Sequence, residues 1–341
     1  MKGASGIALL SLLGTLSTTV HGSVLPRNAQ PKPVIDGNFA DPSIIKVGNT
    51  WYAFATNDRG DAKDHKAPNV QISTSTDFKK WSKPDGKEDA LPDPGCWTNK
   101  GPLGGQGADV WAPHVIELPK THKFVMYYSA RQAENSNTQC ISAAVSTNIK
   151  GPYLARPQPI ACHTSQGGAV DPAGFQDSDG KLYVAYKVDG NSKGHGGKCG
   201  NTVKPIQSTP IMLQGLRDDG LTPVGEPKQI LDRDDPDGPL VEAPSLIKED
   251  GTYFLFFSSQ CTTDSNYDTS YATSKELCGP YKKTNKPLLV AGGDLGLVGP
   301  GSSMITPNGE NIAFHAWVDK SRSMFTGSLS FKGDTVSVKV E

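Results

Sequence analysis

The stretch VIDGNFADPSIIKVGNTWYAFATN, from Val34 to Asn57, contains the pattern that decides the fold of this chain. An Asp-Pro step leads into an apolar run, a Gly-Asn turn follows, and an aromatic run completes what reads as a β-hairpin. Asp41 is unusual there, because it puts a carboxylate at the entrance of a strand whose other residues suit burial. The pattern recurs along the chain, and the repetition explains the aspartate.

Four more segments repeat this order of turn residue, apolar run, turn and aromatic strand. They begin at WAPHVI (111–116), DPAGF (171–175), EAPSLI (242–247) and GPGSSMI (299–305). Their second strands are predicted to begin near residues 51, 124, 182, 253 and 311, and third strands follow at 69–81, 140–153 and 269–281. Repeats of about 60 residues built from strands and turns are typical of radial β-repeats. We therefore predict an all-β fold, a single-domain five-bladed β-propeller with four strands in each unit.

The composition agrees with many short strands. The chain has 341 residues, of which 37 are glycine and 26 are proline, and no segment shows a sustained helical period. A β-sandwich is the alternative all-β architecture, but it would not predict the same phase of proline, apolar run and aromatic strand five times over.

The ends of the chain define the predicted domains. Residues 1–22 combine Lys2, a short apolar run and Gly22, which is typical of a secretory signal peptide. Residues 23–33 are predicted to be a short linker, and residues 34–341 the propeller. We therefore expect a secreted, extracellular protein, and a monomer. The formal net charge is −1, with no basic stripe and no second long apolar stretch, so neither nucleic acid nor a membrane is an expected partner.

The chain contains six cysteines, at positions 96, 140, 162, 199, 261 and 278. An even number of cysteines in a secreted chain favours disulfides, although six allow 15 connectivities. We predict a Cys261–Cys278 bridge, because these two residues flank one predicted hairpin, and leave the others open. The glycine-rich segment 190–201 is predicted to be a loop at the rim of a pocket, held by Cys199.

In a propeller, the first strands of the blades line the central axis, so their equivalent ends converge. The five units begin with Asp41, Trp111, Asp171, Glu242 and Gly299, and three of these residues are acidic. Converging carboxylates repel one another and cost stability unless they are used. A pair of carboxyl groups across a pocket is the chemistry of glycoside hydrolysis, in which one donates a proton and the other activates water. The sequence therefore predicts a glycosidase.

The motifs FADPSII, AVDPAGF and LVEAPSLI, which contain the three acids, resemble the signature of glycoside hydrolase family 43. The resemblance extends over about residues 31–341 and looks strongest to secreted fungal members. It implies a five-bladed propeller and an inverting reaction, with Asp41 as general base, Glu242 as general acid and Asp171 as the residue that modulates the pKa of the acid. It also implies a plant cell-wall polysaccharide or oligosaccharide as substrate, through α-L-arabinofuranosyl linkages or, alternatively, β-D-xylosyl linkages.

One motif departs from the family pattern. Many members have a Gly-Pro-Gly-His run whose histidine helps to hold a calcium ion, whereas this chain has Ser302 at that position. His315 in AFHAW is the candidate substitute ligand. We expect that no cofactor is required and that any calcium ion is structural. Trp111 is a candidate to stack on a sugar, and Arg322 matches an arginine that family members place near the modulating carboxylate.

Two other functions compete with this one. A sialidase propeller would need an arginine cluster and repeated Ser-x-Asp-x-Gly boxes, and only one partial box is present, in STDFKKW (75–81). A non-catalytic carbohydrate-binding propeller would not need three facing acids and would repeat its binding residues in each blade. Here the unit starts differ from blade to blade, which favours a single asymmetric catalytic site.

Overall fold

The computed structural model describes residue 1 and residues 30–56, 68–82, 88–99, 109–135 and 137–341. The predicted signal peptide and most of the predicted linker lie outside these ranges. Nineteen strands are present in the described part of the chain. In chain order they are β1 (Ala40–Val47), β2 (Thr50–Thr56), β3 (Val70–Ser75), β4 (Trp111–Glu117), β5 (Phe124–Arg131), β6 (Gln139–Ser146), β7 (Leu154–Ala155), β8 (Ala169–Gln176), β9 (Leu182–Val188), β10 (Ile211–Leu216), β11 (Pro223–Leu231), β12 (Val241–Glu249), β13 (Thr252–Ser259), β14 (Asp268–Ser274), β15 (Lys282–Lys283), β16 (Gly301–Ile305), β17 (Asn311–Val318), β18 (Ser321–Lys332) and β19 (Thr335–Val340).

These strands form five antiparallel sheets, each built from strands that follow one another in sequence. The sheets are β1–β3, β4–β7, β8–β11, β12–β15 and β16–β19. The first strand of each sheet contacts the first strand of the next, and β1 also contacts β16, which closes a ring. The predicted five-bladed propeller is confirmed, and the second strands begin within one residue of the predicted positions. The first blade differs from the prediction of four strands, since it has three within the described residues.

The connections between strands include five short 3₁₀ turns. They are Thr164–Gln166, Gly190–Lys193, Lys198–Gly200, Asp235–Asp237 and Gly293–Leu295. Within the ranges described above, no helix is long and apolar enough to cross a membrane.

The hydrophobic core lies between neighbouring blades rather than at the central axis. The second strands of the second and fourth blades are buried along nearly their whole length, and aromatic side chains from adjacent blades pack together, as Phe54 does against Tyr153. The ring closes where the N-terminal segment adds to the last blade, since the backbone of Ile35 pairs with that of Met324. Because the core surrounds the axis, the inner strand ends are left to line a pocket.

Candidate active site

Each inner strand begins with the same backbone irregularity. The pairing register between the first and second strands of every blade shifts there, which is the mark of a β-bulge. One residue in each bulge has a positive φ: Asp41, Ala112, Asp171, Ala243 and Ser302, at 46–56° in all five cases. Aspartate tolerates this region better than most residues, which suits Asp41 and Asp171. The bulges therefore interrupt the strand alternation at the end where the five blades meet.

The bulges also correct the alignment of the second unit, in which Ala112 rather than Trp111 is equivalent to Asp41, and of the fifth. Glu242 precedes its positive-φ residue by one position, as predicted from the alignment of the prolines. In the fifth blade, however, Ser302 rather than Gly299 is equivalent to Asp41. The Ser302 hydroxyl donates a hydrogen bond to Asp41 Oδ1 over 2.8 Å. Ser302 therefore belongs to the site as a direct partner of the predicted base.

Asp41 is surrounded by groups that favour its ionised form. Arg322 Nη1 lies 3.6 Å and His315 Nδ1 3.4 Å from Asp41 Oδ1. Burial favours the protonated form of Asp41, but the Arg322 guanidinium and His315 outweigh it, so the pKa of this carboxyl lies well below its usual range. The arginine thus lies beside the predicted base. Asp41 is poised to accept a proton.

Glu242 accepts two hydrogen bonds from fully buried side chains. Lys187 Nζ donates to Oε2 and the Tyr267 hydroxyl donates to Oε1, each over 2.9 Å. Tyr267 can approach because residue 301 is glycine, since a Cβ atom there would lie 2.0 Å from the tyrosine ring. The Gly-Pro-Gly run therefore has a local purpose in this chain: it makes room for the tyrosine that orients Glu242.

Asp171 has a different environment from the other two acids. Among the described residues, its hydrogen-bond donor is the backbone N–H of Ala243, 3.1 Å from Oδ2. Burial and the negative charges of Glu242 and Asp41 raise the pKa of Asp171 well above its usual range, although Lys187 opposes them. Asp171 and Glu242 therefore form a pair of neighbouring acids in which Asp171 retains a proton under conditions in which Asp41 is ionised.

The three acids open into one cavity of about 390 Å³, a size suited to a small ligand. Trp111 and Arg322, the two predicted substrate-binding residues, both line it, and 37% of the Trp111 surface is exposed. Trp317 in the last blade supplies a second indole to the wall. No motif in the sequence marks Lys187, Tyr267 or Trp317 as residues of the site.

The rim of the cavity is held by a disulfide that the sequence did not identify. Cys199 is bonded to Cys261, and Cys140 to Cys162, so the predicted Cys261–Cys278 bridge is wrong. Cys278 is a free thiol exposed on the surface. The Cys199–Cys261 bridge ties loop 190–201 of the third blade to the fourth blade, which confirms the prediction that Cys199 holds this loop. Lys198 and Asp264 pair beside it at 2.8 Å.

His315 was the candidate calcium ligand, and the structure shows what its ring contacts. The ring is fully buried, stacks on Tyr267 and accepts the backbone N–H of Asp41 at Nδ1 over 3.2 Å. Nδ1 also lies 3.4 Å from Asp41 Oδ1, so a neutral ring can hold its hydrogen on either nitrogen, and Nε2 is buried without a hydrogen-bond partner among the described residues. No group of three His, Cys, Asp or Glu side chains suited to a metal ion occurs among the described residues. A calcium ion ligated by His315 therefore stays a prediction.

Comparison with known proteins identifies the family. The family model described as Glycosyl hydrolases family 43 matches residues 30–329. An extracellular endo-α-(1→5)-L-arabinanase 1 from Bacillus subtilis is 30% identical over 81% of this chain and 79% of its own length. A xylan 1,3-β-xylosidase from Vibrio is 26% identical over 83% of this chain, which spans 48% of that protein. A thermostable family-43 glycoside hydrolase of known crystal structure superposes with a TM-score of 0.73 and 25% identity, over 91% of this chain and 96% of the other. The chain belongs to glycosyl hydrolase family 43.

Proposed function

We propose that this glycosidase cleaves α-L-arabinofuranosyl linkages in plant cell-wall arabinan or arabinoxylan side chains, outside the cell and as a monomer. Relatives from Bacillus subtilis, Thermotoga petrophila and Cellvibrio japonicus are named as extracellular enzymes that act on α-(1→5)-L-arabinan or its arabinofuranosyl units. These names support arabinofuranose as the sugar. The name of the Vibrio relative, a xylan 1,3-β-xylosidase, supports the β-D-xyloside alternative.

The observation that carries the proposal is the opposite electrostatic setting of the acids. Arg322 and His315 hold Asp41 ionised, whereas the Asp171–Glu242 pair is buried and keeps a proton. A glycosidase needs one carboxylate to take a proton from water and one carboxylic acid to give a proton to the leaving oxygen. The proposed roles are therefore Asp41 as general base, Glu242 as general acid and Asp171 as the modulator that keeps the proton available.

The proposed reaction is a single displacement. The sugar lies in the cavity against the exposed indole of Trp111, which offers an aromatic face to its C–H groups. Asp41 takes a proton from a water that attacks the anomeric carbon, while Glu242 gives its proton to the departing oxygen. Asp41 and Glu242 belong to the first and fourth blades, which are not neighbours, so they approach the sugar from different sides of the ring. This arrangement predicts inversion of the anomeric configuration.

The substrate and the stereochemistry can be measured together. The purified protein is offered 4-nitrophenyl α-L-arabinofuranoside, 4-nitrophenyl β-D-xyloside, linear arabinan and debranched arabinan, and the fresh product is followed by proton NMR. We expect release of arabinose or arabino-oligosaccharides with the β anomer appearing first. Preference for the xyloside would select the alternative substrate, and initial release of the α anomer would contradict the role of Asp41. Binding without hydrolysis would indicate a carbohydrate-binding propeller.

The role of Glu242 has its own test. Glu242→Gln keeps the size of the side chain but removes the proton donor, and we expect roughly a 10²–10⁴-fold loss of turnover on an unactivated oligosaccharide. The loss should shrink for substrates with good leaving groups, since these need little protonation. Glu249→Gln, at the far end of the same strand β12, is the matched control and should retain activity. Full activity of Glu242→Gln on the oligosaccharide would refute the assignment.

A further inference from the structure

Lys187 is a buried cation that the proposed reaction does not itself require. It lies on β9 of the third blade, and only 1% of its surface is exposed. Its ammonium group contacts Glu242 Oε2 over 2.9 Å and Asp189 Oδ1 over 3.0 Å, and it lines the same cavity. An ammonium group in contact with a carboxyl group favours the ionised carboxylate, which is the wrong state for a proton donor. A reason is therefore needed for its presence beside the proposed general acid.

The charges of the pocket supply that reason. Burial keeps His315 neutral, since its pKa is lowered despite the nearby Asp41. Among the described residues that line the cavity, four carboxyl groups then share two permanent cations. Arg322 serves Asp41, and Lys187 is shared between Glu242 and Asp189. Titratable and charged groups face Glu242 from four blades. The third blade contributes Asp171, Lys187 and Asp189, and the fourth contributes Tyr267. Asp41 comes from the first blade, and His315 and Arg322 come from the fifth.

Without Lys187, this environment would bind the catalytic proton too firmly. Burial and repulsion among the carboxyl groups favour a proton held between Asp171 and Glu242, and a pair that holds its proton too firmly is a poor donor to the leaving oxygen. General acid catalysis is most effective when the pKa of the donor lies near the working pH. A cation that opposes the acidic neighbours would restore the strength of the donor.

We propose that Lys187 is a positioning residue that acts through Glu242 and sets the pH at which the Asp171–Glu242 pair loses its catalytic proton. This inference rests on the proposed role of Glu242 as general acid. Lys187 also fixes Glu242 in place, because its ammonium holds one carboxylate oxygen while Tyr267 holds the other. Asp189 weakens the effect of the Lys187 charge on Glu242, because it contacts the same ammonium group.

The proposal predicts shifts of opposite sign in two variants. In Lys187→Met the pair should hold its proton more firmly, so the alkaline limb of kcat/KM should move to higher pH, by roughly 1–3 units. In Asp189→Asn the Lys187 charge acts on Glu242 without competition, so the alkaline limb should move to lower pH. Lys187→Arg retains the charge and should leave the limb near its original position even if kcat falls. The pH profiles are measured on the unactivated oligosaccharide that the substrate panel identifies.

Lys283→Met is the matched structural control. Lys283 also lies in an ion-pair cluster, with the exposed Asp234 and the buried Asp237, but it is on β15 and does not line the cavity. Its loss should lower the unfolding temperature without moving the pH limb. If Lys187→Met does not fold, Asp189→Asn still leaves the Lys187–Glu242 contact in place and tests the proposal.

Two results separate the possible failures. An alkaline limb that does not move in Asp189→Asn, or that moves to lower pH in Lys187→Met, would overturn the role of Lys187 while leaving the proposed function intact. Full activity of Glu242→Gln on the same oligosaccharide would instead overturn the proposed role of the general acid, and this inference with it.

Discussion

Replacement of Arg322 by methionine should move the acidic limb of the activity profile to higher pH. Asp41 must be ionised to act as a base, and Arg322 is the leading group that opposes the effect of burial on its pKa. When the guanidinium is removed, burial favours the protonated form and only His315 and neighbouring hydroxyl groups oppose it. The pKa of Asp41 therefore rises, and the base becomes protonated at a pH where the wild-type enzyme is still active.

The size of the shift follows from the distance between the charges. Arg322 Nη1 lies 3.6 Å from Asp41 Oδ1. At an effective dielectric constant of about 20, two unit charges at this separation interact by about 5 kcal/mol. One pKa unit corresponds to about 1.4 kcal/mol, so the upper limit is about three units. Rearrangement of the pocket and entry of water will reduce it, and we expect a shift of about 1–3 units, as found for carboxyl groups beside arginine.

The assay is kcat/KM against pH, from about pH 3 upward, for the wild type, Arg322→Met and Arg322→Lys. Lysine retains the charge, so its acidic limb should stay closer to that of the wild type than the limb of the methionine variant does. A general loss of substrate affinity would lower all values without moving the limb, which separates binding from titration. An unmoved acidic limb in Arg322→Met would refute the argument that this arginine keeps the base ionised.

Three further predictions concern the base, the metal and the disulfide. Asp41→Asn should remove turnover of activated and unactivated substrates alike, because the base serves the attacking water; a leaving-group dependence like that of Glu242→Gln would show that the roles are reversed. EDTA should change kcat/KM little, and a complete loss restored by calcium alone would show that an ion is held in the site. The double variant Cys199→Ser/Cys261→Ser opens a bridge between residues 62 apart and should lose up to about 4 kcal/mol of stability by the chain-entropy relation; unchanged urea denaturation would show that the bridge adds no stability.

The fold was predictable because each blade repeats the same local chemistry. A turn residue, an apolar run and an aromatic strand recur in phase, and the spacing alone excludes most other β architectures. The positions of Asp41, Asp171 and Glu242 followed from the same phase, since equivalent strand ends must meet at the axis. The sequence repeat does not show the β-bulge at the start of each inner strand, so the equivalence of Ser302 with Asp41 was missed.

The partners of the acids were harder to predict. Lys187 and Tyr267 reach Glu242 from other strands and loops, and no local pattern distinguishes them from ordinary core residues. The disulfide prediction failed for a related reason: Cys261 and Cys278 flank one hairpin in sequence, but Cys261 lies near the neighbouring blade and bonds to Cys199. Contacts between blades depend on loop paths, which a repeat pattern does not contain.

The five bulges have a consequence for redesign. Because the backbone creates each bulge, the residue at its positive-φ position can change without altering the blade that carries it. In this chain two of these positions are aspartate, two are alanine and one is serine. Two of the five positions, Ala112 and Ala243, have no polar side chain. Both residues have a backbone conformation that aspartate or asparagine tolerates better than alanine does. The propeller is thus a scaffold on which new polar groups can be mounted around one pocket.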